Sequence, residues 1–234
     1  MRTATTVSDR RLRLNPTPGW AEIVVGLLVM AMVSYGFGSQ IHRLGLHPTA
    51  NGLVFASLSG VAGLLSFLVA ASLRVRDLPA FGIRGTTRRW LLIAVGVGVA
   101  AVIAKLALWA VTAQSLQGSS HVQDVYVAGG RGGTGALVLA TALLGILTPV
   151  GEEFLFRGVV TTALLRYGAP IAVVGSAFVF ALMHGINAIL PVALIEGLLA
   201  AEVYRRSGSI WTAVGVHVVY NLPSVPLMVL SAGA

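Results

Sequence analysis

The 234-residue chain contains no cysteine and few charged residues. Without cysteine it has no disulfide bond, no thiolate metal site and no cysteine nucleophile. Only 10% of its residues are charged, against about 25% in ordinary soluble domains, so the polar surface that coats a water-soluble globule is missing. The three aspartates, Asp9, Asp77 and Asp124, lie outside the apolar runs, which excludes a pair of aspartates buried in a membrane.

Apolar runs of membrane-spanning length fill most of the sequence, in which 56% of residues are hydrophobic and the mean hydropathy is +0.86. The predicted fold is all-α, a polytopic transmembrane helical bundle of about seven spans. We place the spans at residues 20–38, 52–73, 90–113, 135–156, 170–187, 189–204 and 210–230. The chain then divides into a tail (1–19), three N-terminal helices with their loops (20–134) and a core of the last four helices (135–234). A glycine-rich stretch at 128–135 predicts a flexible loop before the fourth span.

The sequence holds 16 basic residues and 8 acidic ones. On a soluble chain this excess would suggest nucleic-acid binding, but here the arginines lie between apolar runs, as they do in cytoplasmic loops of membrane proteins. With a cytoplasmic N-terminus, thirteen arginines fall on the cytoplasmic side and only Arg43 and Arg131 on the other. We therefore predict a multi-pass protein of the cell membrane whose N-terminal tail is cytoplasmic and whose C-terminus lies outside. The lipid bilayer is its expected partner, and nucleic acid is not.

Charged side chains inside a span are costly, so each one needs a reason. The densest group is the segment GEEFLFRG at 151–158. On a helix Glu153 and Arg157 are four residues apart and can pair on one face, which leaves Glu152 without a local partner. One carboxylate is then structural and the other is available for chemistry. The alternative is that all three residues form a buried ion network that only holds helices in register.

Two further pairs of residues share this helical spacing. They are Phe180 with His184 and His217 with Asn221. A lone histidine within a span is more often a hydrogen-bonded packing residue than a catalyst. A histidine and an asparagine on one face, with a second histidine and two glutamates elsewhere in the spans, favour a functional site.

Helix length predicts that Glu152 and His184 lie at one depth. Each is sixteen residues from Gly168, which marks a turn between the fourth and fifth spans. In an antiparallel hairpin both therefore lie about 24 Å from the turn. Pro149 is expected to kink the fourth helix just before the glutamates.

Known motifs of intramembrane proteolysis narrow the chemistry. The zinc motif H-E-x-x-H and the serine motif G-x-S-G are both absent from the sequence. A glutamate, two histidines and an asparagine remain, and these groups can activate a water molecule and stabilise an oxyanion.

The residues resemble the three motifs of the CAAX protease and bacteriocin-processing family, also called the Abi family, of intramembrane proteases. These motifs, E-E-x-x-x-R, F-x-x-x-H and H-x-x-x-N, occur here in that order within residues 135–230. The resemblance implies an intramembrane endopeptidase, similar to type II CAAX prenyl endopeptidases, whose substrate is a membrane-embedded or membrane-associated peptide or protein. Residues 135–234 would then be the catalytic core.

The resemblance also implies a role for each motif residue. Glu152 would be the general base and His184 would assist it, while His217 and Asn221 would stabilise the oxyanion. Glu153, Arg157 and Phe180 would support the site. Family members have been described both as metalloproteases and as metal-free enzymes. The cofactor is thus either none, which we favour, or a divalent metal such as zinc held by Glu152, His184 and His217.

Two other functions remain open at this stage. In a proton-coupled transporter Glu152, His184 and His217 would form a proton relay. The chain could also be a bacteriocin-immunity or scaffold protein of the same fold. The sequence makes no prediction of oligomeric state.

Three smaller expectations concern the surroundings of the site. A base at Glu152 predicts a water-filled cavity open to the cytoplasmic side, because an isolated carboxylate is costly to bury. Glu196 is expected to pair with Lys105, and the alternative is that it lines the cavity. Asn187 is expected to cap a helix end, and the alternative is that it lines the same site.

Overall fold

The computed structural model describes residues 17–112 and 123–232, which form helices and contain no strand. The all-α prediction is therefore confirmed for the described residues, whereas most of the predicted tail lies outside them. The helices are α1 (Trp20–Leu44), α2 (Pro48–Leu73), α3 (Arg88–Thr112), α4 (Asp124–Gly130), α5 (Thr134–Tyr167), α6 (Ala169–Met183), α7 (Leu190–Ser207), α8 (Ile210–Asn221) and α9 (Ser224–Ser231).

Among the described residues, five stretches are long and apolar enough to cross a membrane. They are Trp20–Leu44, Pro48–Leu73, Arg88–Val111, Thr134–Tyr167 and Ile210–Ser231, the last of which comprises α8 and α9. Helix α6 is apolar but shorter, and α7 carries four charged residues. Each of the seven predicted runs overlaps a helix, and the chain is a multi-pass membrane protein.

The turn predicted at Gly168 is present and ends α5. Gly168 has a φ of +98°, in the region that favours glycine, and Pro170 lies in the first turn of α6. Helix α5 reaches Tyr167, well beyond the predicted end of the fourth span at residue 156. The glutamates and Arg157 therefore lie in the interior of a long helix.

Helix α5 is irregular on both sides of Pro149. It is π-helical over Leu143–Leu147 and again over Phe154–Thr161. Proline has no N–H, so the Leu144 carbonyl, five residues before Pro149, gains no donor from it. That carbonyl accepts a hydrogen bond from the Asn221 side-chain amide at 3.2 Å. The irregular stretch before Pro149 thus joins α5 to α8 next to the glutamates, and the kink at Pro149 stays a prediction.

Helices α2 and α5 touch through their backbones. A Cβ atom added to Gly151 would lie 1.9 Å from the Gly60 carbonyl oxygen, and one added to Gly63 would lie 2.4 Å from the backbone of Gly151. Small residues allow helices to approach this closely in a membrane. The contact places Ser59 of α2 beside Glu152 of α5.

The loop predicted at 128–135 is shorter in the structure, because its first three residues belong to helix α4 and its last two to helix α5. Helix α4 packs against the start of α2, where a Cβ added to Gly52 would lie 2.3 Å from the Gly129 backbone nitrogen. These glycines therefore provide close helix packing rather than flexibility.

Arginines gather at one end of the bundle, which we call the arginine-rich end. Arg74, just after α2, pairs with Glu22 at 3.0 Å, and Arg84, just before α3, donates to the Gly208 carbonyl after α7. This end therefore holds the start of α1, the α2–α3 connection, the α5–α6 turn and the α7–α8 turn.

Candidate active site

Four buried ionisable side chains form a cluster between α5, α7 and α8. Arg157 Nε lies 3.0 Å from Glu153 Oε2, and Arg157 Nη2 lies 3.4 Å from Glu196 Oε2. His217 Nδ1 lies 2.8 Å from Glu153 Oε1 and 3.6 Å from Glu196 Oε1. Each of the four residues is at most 3% exposed, so the cluster is buried. The predicted pair of Glu153 and Arg157 is present within it.

Glu196 pairs with Arg157 and not with Lys105, so the predicted pairing of Glu196 and Lys105 is wrong. Helix α7 packs closely against α6, where Gly197 lies against Ala177. Arg157 also donates to the Gly197 carbonyl at 3.3 Å. Arg157 is therefore the cation that pairs with Glu196.

Glu152 is buried but is not paired with Arg157. Its Oε1 atom accepts a hydrogen bond from the Ser59 hydroxyl, and its Oε2 atom lies 3.8 Å from His217 Nε2. Within the described ranges, Oε2 has no hydrogen-bond partner. Glu152 therefore has no partner on its own helix, and its role as a base stays a prediction.

The two nitrogens of His217 have different surroundings. A carboxylate can only accept a hydrogen bond, so Nδ1 donates to Glu153 and carries a proton. On the other side of the ring, Nε2 lies 3.3 Å from the Asn221 amide nitrogen and faces Glu152. The imidazole is thus fixed by Glu153 and presents Nε2 to the free carboxylate oxygen.

Phe180 packs against the cluster and both histidines. Its ring lies edge-on to the His217 ring with centroids 5.7 Å apart, and 4.7 Å from the His184 ring. The Arg157 guanidinium lies 4.8 Å from the Phe180 centroid, which is within reach of a cation–π contact. This packing explains why a phenylalanine precedes His184 by one helical turn.

His184 lies at the end of α6, where the chain turns towards α7. Its Nδ1 atom is 3.0 Å from the Phe180 carbonyl oxygen. Asn187 donates to the His184 carbonyl at 2.8 Å and accepts from the Ile189 backbone N–H at 2.8 Å. Asn187 therefore fixes this turn, which agrees with the capping role predicted for it.

A cavity of about 620 Å³ brings the predicted catalytic residues together. Glu152, His184, His217 and Asn221 all line it, and so does Glu196. Its volume lies within the range of about 300–1,000 Å³ that small-ligand pockets occupy. Apolar side chains form much of the remaining wall, among them Phe55, Leu58, Trp109, Phe156, Val192 and Leu227.

The cavity lies in the half of the bundle away from the arginine-rich end. Its walls include the last turns of α3 and α6, the first turns of α7, and α4 and α9. All of these segments lie far along the helices from the arginine-rich end, and Arg131, which follows α4, donates to the Ala232 carbonyl after α9 at the opposite end. The cavity that opens to the cytoplasm stays a prediction, and its position sets it against the predicted cytoplasmic placement of the arginines at the arginine-rich end.

A metal ion does not fit the donor groups as they are arranged. Among the described residues, one set of carboxylate and histidine side chains could offer ligand atoms that all lie within 4.8 Å of one another. It consists of Glu153, Glu196 and His217. Both carboxylates of this set already bind Arg157, so a divalent cation there would lie beside a guanidinium. Glu152 and His184, which were predicted as ligands with His217, are not part of the set. We therefore derive no step through a metal.

Two residues line the cavity that were not predicted as part of the site, although Lys105 was expected to pair with Glu196. Ser59, one of two serines close together in an apolar run, carries no signal that it would reach Glu152. Lys105 stands out as a charge within a span, but neither its partners nor its place on the cavity wall can be read from spacing. Both come from helices outside the three motifs.

The fold and the site together define a multi-pass helical membrane protein with a buried carboxylate–histidine site beside a cavity. A family model, that of the Rce1-like type II CAAX prenyl endopeptidases, matches residues 134–223. This segment runs from the start of α5 to just past α8 and contains all three motifs, so the resemblance drawn from them is confirmed there. The match supports an intramembrane protease. No curated protein and no solved structure matches the chain.

Proposed function

We propose that the chain is an intramembrane endopeptidase that hydrolyses a peptide bond of a membrane-embedded or membrane-associated substrate held in the cavity. The observation that carries this proposal is the contrast between the two adjacent glutamates. Glu153 pairs with Arg157 and His217, whereas Glu152 lines the cavity and its Oε2 atom lies 3.8 Å from His217 Nε2 without a hydrogen bond. A positioned carboxylate beside a histidine is the arrangement that general-base hydrolysis requires.

In this proposal Glu152 takes a proton from a water molecule while the water oxygen attacks the peptide carbonyl carbon. The resulting oxyanion is stabilised by His217 Nε2–H and the Asn221 amide. The carbon–nitrogen bond then breaks, and the leaving amine receives the proton from Glu152. His184, on the cavity wall, assists in positioning the water or moving the proton.

The buried cluster supports these steps by holding His217. When the imidazole is doubly protonated, Glu153 compensates the charge through Nδ1, so that Nε2–H can donate to the oxyanion. Arg157 in turn keeps Glu153 and Glu196 in place. We favour a metal-free reaction, because the cation that faces these carboxylates is Arg157.

Proteolysis by the purified full chain in liposomes tests the proposal. Wild type is compared with Glu152→Ala and His217→Ala on a panel of membrane-peptide reporters, with and without a chelator. The proposal would be supported if both variants lost cleavage and wild type cleaved equally well with and without the chelator. Loss of wild-type cleavage on addition of the chelator would indicate a metal. Equal cleavage by all three proteins would reveal a contaminant and overturn the site. Absence of cleavage combined with a proton-gradient-dependent flux would favour the transporter.

Ser59 is expected to act as a positioning residue for Glu152. We predict that Ser59→Ala lowers kcat about tenfold, the value of one hydrogen bond to a charged group, with little change in KM. Ser59→Thr keeps the hydroxyl and should restore much of the rate. Ser57→Ala is the matched control, because the Ser57 hydroxyl donates to the Val54 carbonyl on the same helix. Equal losses in Ser57→Ala and Ser59→Ala would contradict the role.

We further propose that the arginine-rich end faces the cytoplasm and that the cavity lies in the outer half of the membrane. The cysteine-free chain allows a direct test with single cysteines. Gly85 and Gly135 lie at opposite ends of the bundle, and an added Cβ at either has no neighbour within 4 Å. A membrane-impermeant maleimide should label Gly135→Cys in intact cells and Gly85→Cys only after lysis. The reverse pattern would invert the orientation.

A further inference from the structure

Lys105, the only lysine of the chain, lies buried on the wall of the cavity. It is 6% exposed. Its Nζ atom donates to the Tyr220 carbonyl at 3.0 Å and to the Ser224 hydroxyl at 3.1 Å, and it lies 4.0 Å from the Tyr220 ring centroid. Three groups that favour an ammonium ion therefore hold the lysine in a fixed position.

All three of these groups are neutral. Within residues 17–112 and 123–232 no ion pair joins Lys105 to a carboxylate, and Glu196, the acidic residue expected to reach it, is bound to Arg157 instead. A buried charge that lacks an opposite charge is costly, and in membrane proteins such charges are characteristic of functional sites. The free cavity beside Lys105 is where a compensating anion could bind.

We propose that Lys105 is a carboxylate-binding subsite of the cavity, which anchors a carboxylate of the peptide substrate. The proposal rests on the proposed function. A single ammonium group matches a single negative charge, whereas a doubly charged phosphate would also be repelled by the carboxylates that line the same cavity. The anchoring carboxylate is either the C-terminus of the substrate or an Asp or Glu side chain.

The position of Lys105 relates this subsite to the reacting groups. It binds the carbonyl of Tyr220, which follows His217 by three residues on α8, a rise of about 4.5 Å along the helix. A carboxylate bound there lies near the proposed oxyanion site. Because α3 lies outside the segment that matches the family model, this subsite comes from the part of the chain that the motifs do not describe.

The test uses the purified full chain in liposomes with matched peptide reporters. One pair has the same sequence with a free C-terminal carboxylate or a C-terminal amide, and a second, amidated pair carries Glu or Gln at one position. For wild type we expect kcat/KM to be about 10- to 100-fold higher for the carboxylate member of one pair, with most of the difference in KM. The pair that shows the preference identifies the source of the carboxylate.

Variants assign the preference to Lys105. In Lys105→Met the ratio of the two kcat/KM values should fall to about one, and Lys105→Arg should retain part of it, since the charge remains. Arg206→Met, which removes an exposed cation at the arginine-rich end, should leave the ratio unchanged. A wild-type ratio near one for both pairs would overturn the proposal even if Lys105→Met failed to fold. An unchanged ratio in folded Lys105→Met would overturn it as well.

A binding measurement separates this subsite from the proposed function. If wild type cleaves no reporter, the function fails, but Glu152→Gln can still be tested for binding. Because the chain has one lysine, a lysine-specific isotope label gives a single side-chain signal. Addition of the carboxylate reporter should shift that signal, and the amide should not. Equal shifts with both reporters would contradict the subsite independently of catalysis.

Discussion

Glu152→Gln is expected to reduce kcat for peptide hydrolysis by about 10²- to 10⁴-fold, the usual contribution of a general base. Glutamine has almost the same size and still accepts the hydrogen bond that Ser59 donates to Oε1. It cannot accept a proton at the position of Oε2, which lies 3.8 Å from His217 Nε2. The loss should therefore fall on kcat, with KM and the thermal midpoint close to those of wild type.

Glu202→Gln is the matched control for this prediction. Glu202 also lies on a helix of the bundle, but it pairs with Arg205 and Arg206 at the arginine-rich end, away from the cavity. Its replacement should leave hydrolysis nearly unchanged. If Glu152→Gln retained the wild-type rate while His217→Ala were inactive, a group other than Glu152 would activate the water, and Glu196, on the same cavity wall, would be the next candidate.

The helical fold could be predicted from the sequence because apolar length is sufficient to indicate a span. Periodicity within the chain also predicted the local contacts of the site. Glu153 with Arg157 and Phe180 with His184 are neighbours one turn apart on the same helix, and both pairs are in contact in the structure. Such contacts depend only on helical geometry.

Contacts between helices could not be predicted in the same way. Glu196 and Lys105 are the obvious opposite charges in neighbouring spans, yet Glu196 binds Arg157. The difference arises from packing, because the glycine contacts between α2 and α5 and between α6 and α7 decide which side chains meet. The cavity likewise depends on where α3 and α4 lie, which spacing along the chain does not specify.

The two interpretations of the GEEFLFRG segment apply to different residues of it. Glu153 and Arg157 belong to a buried ion network that links α5, α7 and α8. Glu152 approaches that network only at His217 Nε2, at 3.8 Å among the described residues, and faces the cavity. A structural role and a catalytic role are therefore compatible within one turn of helix.

Arg157→Met should be the most destabilising single substitution in the cluster. Arg157 is fully buried and is the cation that faces both Glu153 and Glu196. Methionine fills a similar volume but carries no charge, so the two carboxylates lose the cation that faces them. Removing one partner of a buried ion pair costs about 3–5 kcal/mol, which for a chain of this size lowers the thermal midpoint by roughly 6–20 °C. Thermal unfolding of the purified protein in detergent measures this shift.

The same substitution distinguishes one connected network from independent ion pairs. Arg205→Met removes a partly exposed arginine from its pair with Glu202 and should shift the midpoint only slightly. In the double variant Arg157→Met with Glu196→Gln, one stranded carboxylate is replaced by a neutral amide, so part of the lost stability should return. Losses that simply add in the double variant would mean that Arg157 and Glu196 do not interact energetically. The side chains of the cluster would then be close together without energetic coupling, and Glu153 alone would have to orient His217.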